Sequence, residues 1–242
     1  MNILAVIPSR YASQRFPGKP LVKIGDRPMV QWVYEAAQSC RDFTKVVVAT
    51  DDDRVADCVR QFGGAVEMTR SDHETGTDRV SEVAVRHPEM TVVVNVQGDQ
   101  PFVTPAMLSR LVSPYLKGEK IPMTTLACPL RWDEGYADPN TVKVVCDQLG
   151  DALYFSRSPI PYLRNTGRPL PLYHHMGLYA FERSFLAQYA QLTATPLEWC
   201  EGLEQLRVLE HGFKIRVCLT EQSVLEINTP EDLEKANCLQ YF

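Results

Sequence analysis

The sequence lacks the patterns that mark several common classes of protein. Its seven cysteines contain no CxxC pair, no run approaches the roughly 20 apolar residues of a membrane-spanning helix, and no cluster of Lys and Arg offsets the formal net charge of −5. The missing basic cluster argues against nucleic acid as a partner. The missing apolar run argues against membrane insertion.

Cysteine usage and the first residues indicate a compartment. The cysteines form an odd set in mostly apolar surroundings, which predicts reduced thiols in the core and fits a reducing cytoplasm. The opening segment, MNILAVIPSR, has an apolar run too short for a signal peptide. We therefore expect a cytoplasmic protein. Its 17 prolines and 13 glycines are spread along the chain, so residues 1–242 are expected to form one domain.

Two glycine-rich nucleotide-binding motifs are also missing. No GxGxxG follows the first expected strand, which disfavours a dehydrogenase. The spacing GxxxxGK[ST] of a P-loop is not met either, and Pro20 follows Lys19. A phosphate site in this chain must therefore be built differently.

The first half of the sequence alternates short apolar runs with amphipathic helical patterns. Buried strands are expected at residues 2–7, 45–50, 65–69 and 91–96. Helices are expected from Pro28 to about Ser39, around residues 55–62 and 80–84, and from Thr104-Pro105 onward. This alternation is typical of parallel βα units.

The second half is more mixed. Strands are expected at residues 141–147 and 152–157, joined by a turn at Gly150, and at residues 176–181. A capping box at Thr195 is expected to open a long helix ending at Gly212, and another at Thr229 opens the last helix. The whole pattern predicts an α/β fold: a mainly parallel central sheet flanked by helices, with a small, partly antiparallel extension.

Ligands of open α/β sheets gather at the carboxyl ends of the strands, so the loop after the first strand is a candidate site. It holds three cations within ten residues, Arg10, Arg15 and Lys19. Such a loop could neutralise a triphosphate and stabilise departing pyrophosphate. The alternative is a solvated basic loop, but its place at a strand end favours phosphate.

Two later loops add candidates. Gly76 and Thr77 could let backbone approach a base or ribose, although a role for Thr77 as an N-cap explains the pattern equally well. The strand at residues 91–96 runs into Gln97-Gly98-Asp99, and a carboxylate there suits a Mg²⁺ ion that bridges phosphate oxygens. The alternative is a turn in which Asp99 bonds its own backbone.

The remaining polar candidates are weaker when taken alone. Asn228 is an uncharged oxygen donor before the last helix, which is typical of a turn or cap residue. The histidines do not form a metal site: His174 and His175 are adjacent, and adjacent strand residues face opposite ways.

Seven blocks follow one another along nearly the whole chain: PSRYASQRFPGKPL, SDHETGTDR, VNVQGDQP, ALYFSRSPIP, HHMGLYAF, LEQLRVLE and INTPEDLE. Taken together, in this order, they resemble the CMP-Kdo synthetases, in which Kdo is 3-deoxy-manno-octulosonate. The resemblance implies a Rossmann-like nucleotidyltransferase fold, a homodimer and Mg²⁺ as cofactor. It implies transfer of CMP from CTP to Kdo for lipopolysaccharide biosynthesis. An 8-amino or other Kdo-like sugar acid stays open as the substrate.

The same resemblance implies roles by position. The implied nucleotide-binding residues are Arg10, Ser13, Lys19, Gly76, Thr77 and Gln97, and the implied catalytic residues are Lys19, Asp99 and Arg15. The implied sugar-binding residues are Arg157, His175, Tyr179, Glu204 and Gln205. Arg157 is expected to pair with the sugar carboxylate through two parallel hydrogen bonds. For Glu204 and Gln205 the alternative is the solvent face of an amphipathic helix.

The metal site shows a departure from the family pattern. Asp99 and Asn228 are the implied ligands, yet the family usually has aspartate where this chain has Asn228. An amide oxygen can ligate Mg²⁺ but brings no negative charge, which predicts weaker metal binding and activity at higher Mg²⁺ or with Mn²⁺. Glu226 is expected to point the other way along the chain and not to substitute. A CTP-binding protein with weakened catalysis is therefore a second hypothesis.

The regions with different expected functions follow one another along the chain. Residues 1–120 approximately form the nucleotide-binding half, residues 121–220 approximately the sugar-binding and dimerisation part, and residues 221–242 return to the core. Segments 123–130 and 141–157 are the expected pairing surfaces between copies, since they add strands outside the parallel core.

Overall fold

The computed structural model describes residues 1–12, 16–133, 135–165, 171–221 and 223–238. The strands are β1 (Ile3–Pro8), β2 (Lys23–Ile24), β3 (Arg27–Pro28), β4 (Lys45–Thr50), β5 (Val66–Met68), β6 (Val92–Asn95), β7 (Met123–Pro129), β8 (Lys143–Cys146), β9 (Ala152–Ser156), β10 (Tyr173–Glu182) and β11 (Ile215–Leu219). The helices are α1 (Met29–Gln38), α2 (Asp53–Gln61), α3 (Gly76–Val85), α4 (Pro105–Leu116), α5 (Arg183–Tyr189), α6 (Pro196–Glu201), α7 (Gln205–Glu210) and α8 (Pro230–Cys238).

The chain forms two compact units. One comprises Met1–Ser109 together with Val224–Phe242, and the other comprises Arg110–Ser223. The first unit therefore contains two segments that are far apart in sequence, and the second unit is a single continuous stretch.

The first unit is built on four parallel strands in the order β6-β1-β4-β5. All side chains from Ile3 to Ile7 are fully buried, as expected for a strand covered on both faces. Helix α3 packs against β1 and β6, while α1 and α2 pack against β4. Because parallel strands end at the same edge of a sheet, the loops after β1, β5 and β6 converge there.

The sequence located these elements closely. Strand β4 has the predicted bounds, and β1, β5 and β6 differ from prediction by one residue at each end, which is within the usual uncertainty of element boundaries. The short hairpin of β2 and β3 was not predicted.

The second unit is a mixed sheet. Strands β11, β7 and β10 are neighbours in that order, β8 pairs with β10, and β9 pairs with β8. The β11–β7 pair is parallel and the other pairs are antiparallel. Gly150 has φ 82° in the turn between β8 and β9, a left-handed conformation that favours glycine. The α/β fold with a partly antiparallel extension is confirmed.

The single long helix expected between Thr195 and Gly212 is wrong. The capping box of Thr195 and Glu198 is present, but α6 ends at Gly202, which adopts the left-handed conformation at φ 62°. A glycine in this conformation is a common helix terminator, and α7 begins afresh three residues later.

The expected pairing role of segment 123–130 stays a prediction, but the fold excludes strand-to-strand pairing between copies through β7. Strand β7 is buried over six of its seven residues and has β11 and β10 as neighbours on its two sides, so its backbone is already used within the sheet. Strand β9, by contrast, pairs only with β8 among the described residues, and Leu153 on it is 62% exposed.

The seven cysteines are all free thiols, but they are not all in the core. Cys40, Cys128 and Cys218 are buried, whereas Cys200 and Cys238 are exposed. The expectation of core thiols is therefore wrong for the last two positions. Within the described ranges, no helix is long and hydrophobic enough to cross a membrane.

Candidate active site

The basic loop after β1 is tied to the loop that precedes α3. The Arg10 guanidinium donates to the carbonyl oxygens of His73 at 3.1 Å and Glu74 at 3.2 Å. The N–H of Gly18 donates to the Tyr11 carbonyl at 2.9 Å and folds the loop back on itself. Ser13 and Arg15, two of the implied site residues, lie outside the described residues.

Lys19 and Asp99 meet at the edge where β1 and β6 end. Gly18, at φ 71°, precedes a short 3₁₀ turn at Lys19–Leu21. The Lys19 ammonium Nζ then lies 2.8 Å from Asp99 Oδ2, with side-chain exposures of 16% and 25%. The sequence expectation that Lys19 and Asp99 serve one site thus has a geometric basis: a cation and a carboxylate, 80 residues apart, share a partly hydrated position.

Gly98 lets the end of β6 approach the end of β1. A Cβ atom at this position would lie 2.9 Å from the Pro8 carbonyl oxygen and 3.2 Å from Ser9 Oγ. Such contact cannot be accepted without moving backbone, because the Pro8 oxygen has no side-chain freedom.

Gly98→Ala is therefore expected to displace the loop after β1 and to lower the free energy of unfolding by about 1–3 kcal/mol, as overpacking does. Urea denaturation measures the loss, and titration with CTP is expected to show weaker binding. Gly118→Ala would be a poor control because its φ is 80°. Gly177→Ala serves better, since a Cβ there meets no described atom within 4 Å. Equal effects of the two substitutions would contradict the expectation.

The loop before α3 is shaped by a capping box. Thr75 is the N-cap. Its hydroxyl oxygen accepts from the Asp78 N–H, and the Asp78 carboxylate accepts from the Thr75 N–H. The suggestion that Thr77 is the N-cap is therefore wrong. Thr77 is buried instead, and its Oγ1 lies 3.4 Å from Asn95 Nδ2.

Asn95 connects two implied nucleotide-binding positions. Its amide nitrogen donates to Thr77, and its oxygen accepts from Gln97 Nε2 at 3.4 Å. Gly76, the first residue of α3, lies beside Pro8, to which an added Cβ would come within 3.5 Å. Gly76, Thr77 and Gln97 are thus brought to the same edge as the basic loop.

The segment before α8 runs against Asp99. Ile227 is fully buried in an apolar cluster with Ile24, Met29 and Ala236, and its N–H donates to the Asp99 carbonyl at 2.9 Å. Asn228 follows at once, so the implied metal positions 99 and 228 lie in neighbouring segments of backbone.

The expectation that Glu226 points away from Asn228 is wrong. Asn228 Nδ2 donates to Glu226 Oε2 at 3.4 Å, and Gln100 Nε2 donates to Glu226 Oε1 at 2.8 Å. Residues i and i+2 of an extended chain lie on the same face, and the buried Ile227 occupies the other one. Partial desolvation, followed by repulsion from the Asp99 carboxylate, raises the pKa of Glu226.

The donor set at this edge suits a hard divalent cation. It consists of two carboxylates and amide oxygens, the ligands that Mg²⁺ prefers. No three His, Cys, Asp or Glu side chains within the described ranges are grouped as a metal site of their own. Mg²⁺ in nucleotide sites uses one or two carboxylates and completes its shell with phosphate oxygens and water, so two carboxylates fit an ion that arrives with a nucleotide.

In the second unit, Arg157 follows β9 directly and is held by backbone. Its Nε donates to the Glu201 carbonyl at 2.8 Å and its Nη1 to the Pro139 carbonyl at 3.0 Å. The buried ammonium of Lys143 donates to the Arg157 carbonyl at 2.7 Å. Since Nε carries a single proton, the expected paired contact with a carboxylate would use the end of the guanidinium formed by Nη1 and Nη2.

His175, Tyr179 and Gln205 form a directional hydrogen-bond chain. Tyr179 OH donates to Gln205 Oε1 at 3.1 Å, and Gln205 Nε2 lies 3.5 Å from His175 Nδ1. Thr125 has one hydroxyl proton and donates it to the Leu178 carbonyl at 2.8 Å. His175 Nε2, 2.9 Å from that hydroxyl oxygen, must therefore carry the ring proton.

A β-bulge makes this chain possible. In the pairing of β10 with β7, His175 lies opposite Ala127, but Tyr179 lies opposite Thr125, so β10 contains two extra residues in between. Side chains four residues apart on a regular strand are about 13 Å apart. The bulge instead brings the two ring centroids to 5.7 Å, and bulges often re-aim side chains beside functional sites.

The two implied sugar-binding residues at the start of α7 differ in burial. Gln205 is 3% exposed, so the alternative that it faces solvent is wrong. Glu204, which precedes the helix, is half-buried, and its Oε2 accepts from Tyr189 OH at 3.4 Å.

Burial makes the stability of this unit depend on pH. Desolvation, with a smaller contribution from His174, lowers the pKa of His175 from 6.5 to about 3. Between those values the unfolded chain binds a proton that the folded protein excludes, so stability is lost as the pH falls below 6.5. The expected slope is about 1.4 kcal/mol per pH unit.

Urea denaturation at pH 7 and pH 5 checks this dependence. His175→Gln is expected to reduce the difference in unfolding free energy between the two values, although His174, whose pKa is also lowered by burial, will keep part of it. The matched control is His211→Gln at an exposed position, which is expected to leave the pH dependence unchanged. An unaltered slope in His175→Gln would refute the assignment.

The chain is similar to known proteins in both sequence and structure. The family model described as Cytidylyltransferase matches residues 4–215. A 3-deoxy-manno-octulosonate cytidylyltransferase from Acaryochloris marina is 68% identical over 98% of this chain and 96% of its own. That of Synechococcus elongatus is 57% identical over 98% and 97%. A solved CMP:2-keto-3-deoxy-manno-octonic acid synthetase complexed with CTP is 42% identical, with TM-score 0.94 over 99% of this chain and 98% of that one.

Proposed function

The chain belongs to the cytidylyltransferase family, and on this premise we propose that it is a 3-deoxy-manno-octulosonate cytidylyltransferase, forming CMP-Kdo and pyrophosphate from CTP and Kdo. The observation that carries the proposal is similarity over nearly the full length of proteins with that activity. The resemblance seen in the sequence blocks is thus confirmed.

The reaction needs no covalent enzyme intermediate. The hydroxyl on C2 of Kdo gives up its proton to solvent as its oxygen forms a bond to the α-phosphorus of CTP. The bond from that phosphorus to the β-phosphate oxygen breaks, and pyrophosphate leaves in line. Catalysis of this kind rests on positioning and charge stabilisation. Lys19 supplies a mobile positive charge next to the phosphates, while Arg10 holds the two nucleotide loops together and shares its charge with them.

A divalent cation fits the same edge. Asp99 and Asn228 would hold it, and when bound it would supply charge neutralisation at the phosphates and a more acidic attacking hydroxyl. Lys19 then has a second task, because its ammonium neutralises Asp99 whenever the ion is not there. Thr77 and Gln97, joined through Asn95, are the residues that meet the cytidine.

The sugar acid is recognised by the second set of residues. The Arg157 guanidinium is oriented by backbone carbonyls and presents its outer edge to the carboxylate. His175 is neutral at working pH, and its contact with Gln205 fixes which end of that amide donates. Tyr179, Gln205 and Glu204 offer donors and acceptors that match sugar hydroxyls.

The biological setting completes the proposal. The product is an activated Kdo for lipopolysaccharide biosynthesis in the cytoplasm. The protein acts as a homodimer. Within the expected pairing surface β9 suits contact between copies, because Leu153 on this strand and Leu149 just before it are both exposed.

Pyrophosphate release tests the activity. The protein is mixed with CTP, Mg²⁺ and Kdo, with ATP, GTP and UTP as nucleotide controls and 8-amino-Kdo as a sugar control. Release that needs both CTP and Kdo is the expected result. Binding of CTP without release would favour the alternative of a nucleotide-binding protein with weakened catalysis. Release with the amino sugar but not with Kdo would identify the amino sugar as the substrate.

A further inference from the structure

The segment that carries the departure from the family pattern has a fixed orientation. Ile227 is anchored in the apolar cluster and also donates its N–H to the Asp99 carbonyl. These two contacts leave Glu226 and Asn228 on one side of the segment, where their side chains touch at 3.4 Å. The side chain of residue 226 thus belongs to the same surface as that of residue 228.

Glu226 is also aimed by a second residue. The Gln100 amide nitrogen donates to Glu226 Oε1 at 2.8 Å across 126 residues of sequence. Gln100 follows Asp99, whose own carboxylate is 2.8 Å from Lys19 Nζ. Two carboxylates are thereby directed to one edge by neighbouring backbone positions, and the Lys19 ammonium offsets one of their two negative charges.

The other polar atom of the Gln100 amide is a second feature of this segment. Gln100 is 1% exposed, and its Oε1 accepts no hydrogen bond from any residue in the described part of the chain. A buried amide oxygen without a donor costs free energy unless a water or an ion completes it. This oxygen belongs to the same amide group whose nitrogen donates to Glu226 Oε1.

We propose that Glu226 supplies the second carboxylate of the divalent-cation site, in place of an aspartate at position 228. The inference rests on the proposed function, since the ion is the one that accompanies CTP. Glutamate is one methylene longer than aspartate, and from position 226 it lies on the same face as residue 228. The pair Asp99 and Glu226 carries two negative charges, as aspartates at 99 and 228 would. Asn228 therefore does not lower the charge of the site.

Electron paramagnetic resonance measures the binding of Mn²⁺ to the protein–CTP complex and so tests this assignment. A solution of Mn²⁺ and CTP without protein is the reference. Glu226→Gln keeps an acceptor for Gln100, removes the charge, and replaces the oxygen that accepts the 3.4 Å contact from Asn228 with an NH₂ group. It is expected to weaken Mn²⁺ binding at least about 10-fold. The double variant Glu226→Gln with Asn228→Asp is expected to recover most of that loss, because it returns the charge from the neighbouring position. Glu234→Gln, at an exposed position on α8, is the charge-matched control and should bind as the natural protein does.

Each outcome decides the matter. Unchanged Mn²⁺ binding in Glu226→Gln overturns the proposal, and so does a loss that Asn228→Asp fails to recover. Pyrophosphate release is measured on the same samples. If the natural protein releases pyrophosphate while Glu226→Gln binds Mn²⁺ normally, only the role of Glu226 fails. If Mn²⁺ binding depends on Glu226 but no release occurs, the cation site stands and the proposed activity fails. Absence of Mn²⁺ binding in the natural protein overturns the assignment as well.

Discussion

Lys19→Met is expected to lower kcat by about 10²- to 10³-fold, the usual cost of removing one group that stabilises transition-state charge. The Lys19 ammonium is held 2.8 Å from Asp99 at the end of the basic loop after β1. Negative charge moves onto the departing pyrophosphate as the α-phosphorus bond breaks, so a cation at this edge binds the transition state more tightly than bound CTP. We therefore expect kcat and kcat/KM to fall together, with little change in the KM for CTP.

Steady-state pyrophosphate release at varied CTP measures both constants. The matched control is Lys23→Met, which removes an exposed lysine of β2 in the same unit and is expected to retain full activity. A Lys19→Met enzyme whose KM rises while kcat is preserved would show that Lys19 only binds ground-state CTP. Full activity in this variant would remove Lys19 from the catalytic machinery.

Arg79→Met is expected to lower the free energy of unfolding by about 3–5 kcal/mol, because it leaves a largely buried acid without its partner. Arg79 lies on α3, and its side chain is fully buried. Its Nη1 donates to Thr69 Oγ1 at the end of β5, and its Nη2 lies 3.3 Å from Asp51 Oδ1 after β4. The guanidinium thus fastens the helix that begins at Gly76 to two strand ends, and its loss is expected to weaken CTP binding too.

Urea denaturation compares this variant with Arg60→Met, which breaks an exposed ion pair of the same chemistry. Arg60 Nη1 lies 2.7 Å from Asp57 Oδ1, with side-chain exposures of 55% and 65%, and exposed pairs contribute about 0–1 kcal/mol. Adding Asp51→Asn to Arg79→Met is expected to recover part of the loss, since the uncompensated charge is then gone. Similar small losses in Arg79→Met and Arg60→Met would contradict the buried-pair explanation.

The meeting of Lys19 and Asp99 at one sheet edge could be predicted because it depends on local signals. Apolar runs marked the strands, and a parallel sheet brings their carboxyl ends to one edge whatever the loops contain. Lys19 and Asp99 were therefore expected at one site, and they form an ion pair. Ser13 and Arg15 lie outside the described residues, and their implied roles remain predictions.

Features set by contacts across many residues could not be predicted in this way. Thr77 was a plausible N-cap by residue type, but Thr75 takes that position because it forms a reciprocal pair of hydrogen bonds with Asp78. The capping box and the apolar spacing on both sides of Gly202 favour one long helix, whereas in the fold Gly202 adopts the left-handed conformation that ends α6. Strand β11 left too weak a local pattern, and it is stabilised by pairing with β7, about 90 residues earlier in the chain.

The sequence by itself determined the fold class, the order of the main elements, the place of the basic loop after β1 and, through seven ordered blocks, the family. These follow from residue periodicity and residue type, which act over a few positions. Only the tertiary structure decided that Glu226 shares a face with Asn228, since the burial of Ile227 and the amide of Gln100 fix that face. It also decided that a bulge in β10 brings His175 to Tyr179. The physical reason is the same in both cases: the direction of a side chain is set by packing partners that are distant in sequence.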